Sequence, residues 1–127
     1  MEQRISTHWL PLLAWMTVIF IFSAIPSSHV ETFAWGDFAL RKSAHITEYA
    51  ILAVLIRRLF PEKKSSAAWF LSFTLTVLYA ASDEWHQTLV AGRTGALLDV
   101  AIDSFGALLG LTIWHKKLRK KKHLGKR

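Results

Sequence analysis

The sequence predicts an all-α integral membrane bundle of four transmembrane helices, with both termini cytoplasmic. Three observations predict it. Hydrophobic residues make up 52% of the 127 residues and charged ones only 20%. The apolar residues fall into four runs, each near the ~17 to 25 residues that a helix needs to cross a bilayer. Most charges fall between the runs, and the basic excess falls in alternate gaps, as cytoplasmic loops require.

The first run, 9–25, is uncharged. It makes a poor cleaved leader. Arg4 is its one preceding basic residue, and Phe22 and Ala24 would have to fill the cleavage positions. The second run, 44–60, is apolar except at His45, Glu48, Arg57 and Arg58. The third, 67–82, has no charge, and the fourth, 97–114, has only Asp99 and Asp103. All four sit at the short limit, so each helix is expected to continue past its run. A soluble bundle would carry polar faces at the 3.6-residue period. The first and third runs carry no charged face.

The formal charge of +7 suggests nucleic acid until it is divided by position. Residues 116–127 hold eight of the sixteen Lys and Arg and no acid, while residues 1–115 hold eight basic and nine acidic residues. The chain therefore divides into a nearly neutral apolar domain, 1–115, and a basic cytoplasmic tail, 116–127. The expected partner is the lipid bilayer, with no nucleic acid. The tail reads either as a topology determinant or as a ligand for anionic inner-leaflet lipid. Cysteine is absent, which excludes disulfides, thiolate metal sites and a Cys nucleophile.

Lys and Arg mark the inside. The 57–66 loop carries Arg57, Arg58, Lys63 and Lys64 against Glu62. The 26–43 loop sets Glu31 and Asp37 against Arg41 and Lys42, and the 83–96 loop has Arg93 against Asp83 and Glu84. The termini and the 57–66 loop are thus inside, in a multi-pass protein of the cell membrane. Trp9, Trp69 and Trp114 then fall at the inner interface, and Trp35 and Trp85 at the outer one, as an aromatic belt.

On this topology the ionisable residues collect on the outer side. Lys42, His45 and Glu48, three apart, form a stripe that opens the second helix. Asp83, Glu84, His86 and Gln87 close the third. Arg93 lies in the outer loop, and Asp99 and Asp103 open the fourth helix. Lys42 and Arg93 against Glu48, Asp83, Glu84, Asp99 and Asp103 make the cluster −3. An Asp deep in a span costs ~2.5 to 3.5 kcal/mol on insertion scales, so such residues read as functional. Simpler readings stand beside that one. Lys42 and Arg41 can snorkel at an interface, and His45 with Glu48 can clamp two helices. Asp99 can pair with Arg93. Asp83, Glu84, His86 and Gln87 can be solvated at a helix end. Ser72, Thr76 and Tyr79 read as packing, as do Gly106 and Gly110, whose spacing permits close helix contact. His8, His29, His115 and His123 read as surface residues.

Several segments resemble the VanZ-like membrane protein family. Arg41-Lys42-Ser43-Ala44-His45-Ile46-Thr47-Glu48-Tyr49-Ala50 is similar to its second-helix motif. Ser82-Asp83-Glu84-Trp85-His86-Gln87, Gly92-Arg93, Asp99-Val100 and Asp103-Ser104-Phe105-Gly106 resemble its later motifs. Phe22-Ser23-Ala24-Ile25-Pro26 resembles the end of its first helix. The resemblance runs from about Trp15 to Trp114. It implies a compact helical membrane domain. The family's name comes from a member linked to teicoplanin resistance; the resemblance supplies no biochemical activity, and devotion of this chain to antibiotic resistance is not expected.

Three functions fit these residues. The leading one is an outward-facing site that binds or processes a cell-envelope lipid or its head group. Lys42 and Arg93 would meet a phosphate or carboxylate, Gln87 and Asp99 would complete the ligand contacts, and His45, Glu48, Asp83 and Glu84 would orient it or move protons. The second is an intramembrane enzyme, whose candidate catalytic residues are His45, Glu48, Asp83, Glu84, His86 and Asp103. It could be metal-assisted through the i,i+3 pairs His45–Glu48 and Asp83–His86, although no complete ligand set is present and no metal or other cofactor is assigned. The third is a structural or accessory protein in which the cluster specifies the fold. Oligomeric state is not legible.

Overall fold

The computed structural model describes residues 2–26, 35–60, 65–93 and 95–124. His29, Glu31, Glu62, Lys63, Lys64, Lys126 and Arg127 lie outside the described residues, as do the side chains of Glu2, Arg4, Trp35, Asp37, Lys122 and His123. The described chain is all-helical: α1 (Glu2–Ser23), α2 (Trp35–Arg57), α3 (Ser66–Thr88) and α4 (Leu97–Leu124). Each helix extends beyond its apolar run at one end at least, as expected, although α1 and α2 stop two and three residues short of the ends of theirs. α2 begins at Trp35, inside the segment expected as the first outer loop. α4 runs on through the basic residues as far as Leu124, the last described residue. Cations in its last turns also suit the negative end of the helix dipole.

By length and composition α4 can cross a membrane over Leu97–Lys121; among the described residues no other helix meets both conditions. The apolar part of α1, Thr7–Ser23, is shorter. The sequence expects four such spans. α2 and α3 fall below the condition because they carry Lys42, Glu48, Asp83, Glu84 and several Ser and Thr, which lower their average apolarity.

Helix directions alternate. Met16 contacts Tyr79 and Phe20 contacts His86, so α1 and α3 run parallel. Lys42 meets Asp99 and His45 meets Asp103, so α2 and α4 run parallel. Tyr49 meets Asp83, while Arg57 lies near Ser65, so α2 and α3 are antiparallel. α2 and α4 make the closest pair, α3 covers both, and α1 packs on α2 and α3 with no close backbone approach to α4 among the described residues.

The α2–α4 contact is made by small residues. A Cβ at Gly106 would strike the Ile46 backbone, and one at Gly110 would strike the Ala50 backbone. This bears out the packing reading of both glycines. Nearby, Ala53, Ala107 and Leu111 are buried with Trp69 and Phe73 against them. Tyr49, Leu52, Ile56, Ile19, Leu12 and Ala80 form the larger core. Ser72 and Thr76 are fully buried and donate to Ala68 O and Ser72 O, each at 2.7 Å. Tyr79 donates to Met16 O at 2.7 Å, and Trp15 to Glu48 O at 3.0 Å, which ties α1 to the other helices. Large apolar side chains meanwhile face outward, among them Leu10, Phe22, Phe70 and Leu78 at 56–66% exposure.

The backbone contact predicts that Gly110→Val will cost about 1–3 kcal/mol through overpacking. Gly36, with nothing near its missing Cβ, is the control. Thermal unfolding in detergent should show a lowered midpoint for Gly110→Val and none for Gly36→Ala.

Candidate functional site

One end of the bundle gathers the polar residues, and they divide into two groups. The first group joins helices. Lys42 on α2 forms an ion pair with Asp99 on α4, each side chain about one-fifth exposed. His45 Nδ1 lies 3.0 Å from Asp103 Oδ1, and Asp103 is 1% exposed. With Asp103 as a carboxylate, the imidazole N–H donates to it. The Ala96 N–H donates to Glu84 Oε1, which ties α3 to the segment that starts α4. Asp83 Oδ2 accepts from the Tyr49 hydroxyl and from Gln87 Nε2, both at 3.1 Å.

The second group lines a pocket of about 130 Å³ between α1, α2 and α3. Ile19, Phe22 and Ala44 supply its apolar wall. The exposed Arg41 and the half-buried Arg93 also line it. His45, Glu48, Asp83 and Gln87 complete the polar lining. Arg93 also reaches the Phe22 carbonyl at 3.5 Å, which is long for a hydrogen bond. Asp83 Oδ1 is buried with no protein partner among the described residues, as are Ser23 Oγ and Glu84 Oε2. Buried polar atoms of this kind each call for a hydrogen-bond partner, a donor for the two carboxylate oxygens and either kind for the hydroxyl.

The sequence-predicted residues thus separate. His45, Glu48, Asp83, Gln87 and Arg93 meet at the pocket. Asp103 stands behind His45 and supports it. Lys42 and Asp99 are engaged with each other, so the alternative pairing of Asp99 with Arg93 is corrected, and the clamp of His45 with Glu48 gives way to His45 with Asp103. The reason is register: α2 and α4 run parallel in contact, which places positions 42 and 99 opposite each other. His86 turns away and stacks on Phe20, centroids 4.4 Å apart at 21°. His8 is half-buried rather than fully at the surface, whereas His115 is exposed as expected.

No group of three or more His, Asp or Glu side chains among the described residues is arranged to hold a metal ion. Asp83 faces Tyr49 while His86 faces Phe20, so that pair does not converge. Arg41, read from the sequence as a snorkelling residue, is the pocket cation the stripe of threes passed over. Positions 41, 45 and 48 share a helix face at i, i+4, i+7 spacing, and that spacing is the signal that finds it. Tyr49 and Ser23 carry no charge and escaped for that reason.

The Tyr49 hydroxyl yields a test. Tyr49→Phe removes a donor from a buried carboxylate, at a cost of about 1–3 kcal/mol. Asp83→Asn in the same chain removes the charge and should restore part of the loss. A double-mutant thermal unfolding cycle measures this, and additive losses would show that the contact carries no coupling.

No curated protein and no solved structure matches the chain. A VanZ/LLP1 family profile matches residues 8–119, which take in both groups of polar side chains and most of all four helices. The chain belongs to the VanZ/LLP1 family.

Proposed function

We propose that the chain is a multi-pass protein of the cell membrane, with four spans and both termini cytoplasmic, whose pocket holds the head group of an envelope lipid. The pocket itself carries this reading. It combines two guanidinium groups with carboxylates, within a bundle whose outer surface is apolar. Arg41 and Arg93 suit a phosphate or carboxylate, which a guanidinium binds with two parallel hydrogen bonds. Glu48 and the unpartnered Asp83 Oδ1 suit a hydroxyl or amine beside that anion. The ligand class is therefore an anion with an adjacent hydrogen-bond donor.

Alternating helix directions, the apolar outer surface and family membership support the four-span reading. Helices of 22 to 28 residues are ~33 to 42 Å long at 1.5 Å per residue, enough for a hydrocarbon core of ~30 Å.

The His45–Asp103 pair supports a second reading, an enzyme. A buried carboxylate that accepts from one ring nitrogen fixes the tautomer and leaves the other nitrogen as a base. His45 lines the pocket and could deprotonate a hydroxyl held there.

Binding is tested with the full chain in detergent, by native mass spectrometry. Phosphatidylglycerol, which has hydroxyls beside its phosphate, should be retained over phosphatidylcholine, which has none. Arg41→Gln with Arg93→Gln should lower that retention about tenfold, a loss of about 1.4 kcal/mol; unchanged retention would refute the head-group site. The enzyme reading expects His45→Gln to abolish turnover of a bound lipid and leave its retention intact.

Topology is tested with single cysteines, for which the Cys-free chain is already suited. In intact cells an impermeant maleimide should label Gly36→Cys. It should label Lys120→Cys only after permeabilisation.

A further inference from the structure

The pocket between α1, α2 and α3 draws an acceptor group from each of its three helices. Ser23 is the last residue of α1, Glu48 lies on α2 and Asp83 on α3, and all of them line the pocket. Ser23 and Asp83 are 4% and 5% exposed. Their Oγ and Oδ1 atoms are buried with no hydrogen-bond partner among the described residues.

Neither atom is left over by default. Thr17, Ser72, Thr76 and Ser104 each donate to the carbonyl four residues back, at 2.7–2.8 Å. A helical hydroxyl meets its own needs in that way, and Ser23 does not. Asp83 is half used. Tyr49 and Gln87 both donate to Oδ2, at 3.1 Å, which orients the carboxylate and leaves Oδ1 over. Glu48, half-buried, adds a second carboxylate to the same cavity.

We propose that the donor this pocket takes beside the anion is a primary ammonium, as in a phosphoethanolamine head group, and not a hydroxyl. The proposal rests on the head-group reading above and narrows its ligand. A hydroxyl has one proton to give, whereas a primary ammonium has three N–H donors, one for the acceptor group of each helix. Two carboxylates lining one cavity repel, and a cation between them relieves that repulsion where a hydroxyl does not. Hydrogen bonds from an ammonium to a carboxylate are also the stronger kind. Arg41 and Arg93, which line the same pocket, remain for the phosphate. The two charges of the zwitterion thus fall to two different sets of side chains. Phe22 lines the pocket and is 56% exposed, which offers an apolar rim to the tails of a lipid.

The competing account is that the ammonium acts as a bare charge. Methylation separates the two, because each methyl removes an N–H donor and keeps the charge. A quaternary head group would leave Asp83 Oδ1 and Ser23 Oγ buried and unserved, which is costly.

The delipidated full chain in detergent is mixed with phosphatidylethanolamine, its N-methyl and N,N-dimethyl derivatives, phosphatidylcholine and phosphatidylglycerol, all with the same acyl chains. Bound lipid is counted by native mass spectrometry. Retention should fall with each methyl, by about tenfold between phosphatidylethanolamine and its dimethyl derivative. Phosphatidylethanolamine should also be retained over phosphatidylglycerol. Ser23→Ala, which removes a hydroxyl with no protein partner among the described residues, should flatten the series by about fivefold. Glu48→Gln keeps an acceptor oxygen and removes the charge, so it should weaken phosphatidylethanolamine about tenfold and phosphatidylglycerol less than about twofold. Soluble phosphoethanolamine identifies the source: displacement of the lipid at millimolar concentration assigns a free solute, and no displacement assigns the lipid. A flat methylation series on the native chain, or phosphatidylglycerol held as well as phosphatidylethanolamine, would overturn the ammonium. Either result leaves the head-group reading standing as long as phosphatidylglycerol exceeds phosphatidylcholine and the Arg41 and Arg93 variants lower its retention.

Discussion

Backbone contact between α2 and α4 is the constraint on which the rest of the molecule depends. Gly106 lies on Ile46 and Gly110 on Ala50, with no room for a side chain at either. In the proposed membrane setting there is no hydrophobic drive between apolar helices, so association would rely on close packing and on polar bonds. Here the first sets up the second. The glycine contacts fix a parallel register, and one to two turns away that register brings Lys42 to Asp99 and His45 to Asp103. A slip of one residue rotates α4 by about 100° relative to its partner. Asp103, 1% exposed, would then lose its imidazole and remain buried as an unpaired acid.

Beside its apolar core this bundle buries polar residues and exposes large apolar ones, unlike most water-soluble proteins. Ser72, Thr76, Asp83, Glu84, Gln87 and Asp103 are inside, while Leu10, Phe22, Phe70 and Leu78 are outside. A buried polar group costs free energy unless it is hydrogen-bonded. Ser72 and Thr76 solve this within their own helix, and Asp83 takes donors from two helices. α1 is the exception in attachment. Among the described residues its backbone comes close to α2 and α3, and two side-chain bonds to backbone carbonyls, from Trp15 and Tyr79, supplement its apolar contacts. The same helix supplies Ile19, Phe22 and Ser23 to the pocket. The wall with the fewest neighbours is therefore the one that adapts most cheaply to a ligand.

Which parts of this were legible in the sequence follows from geometry. Four apolar runs gave four helices, because a span-length run has little alternative. The Gly106–Gly110 spacing announced a close helix contact. It did not say with which helix, because small residues carry no address. Adjacent residues on a helix point about 100° apart, and a charge pattern alone does not say which neighbour occupies which side. Arg41 and Lys42 therefore exchanged expected roles: Lys42 turns to α4 and Arg41 to the pocket. His86 failed for the same reason, since its side of α3 is covered by Phe20 of α1. Tyr49 and Ser23 carry no charge, so a charge pattern does not mark them.

The same geometry reverses the electrostatic meaning of the cluster. Summed over the sequence, it is −3, a value that invites a metal ion. In the fold most of that negative charge is taken up inside the protein. Asp99 is paired with Lys42 and Asp103 with His45, and Glu84 holds the Ala96 amide. Asp83 keeps one oxygen on Tyr49 and Gln87, and its other oxygen has no protein partner among the described residues. A molecule entering the pocket meets Arg41 and Arg93 together with Glu48 and Asp83. A bare cation would face two guanidiniums there, and a bare anion two carboxylates. The proposed ligand, a group that carries an anion and a hydrogen-bond donor side by side, would satisfy both sets at once, which is a narrower requirement than the total charge sets.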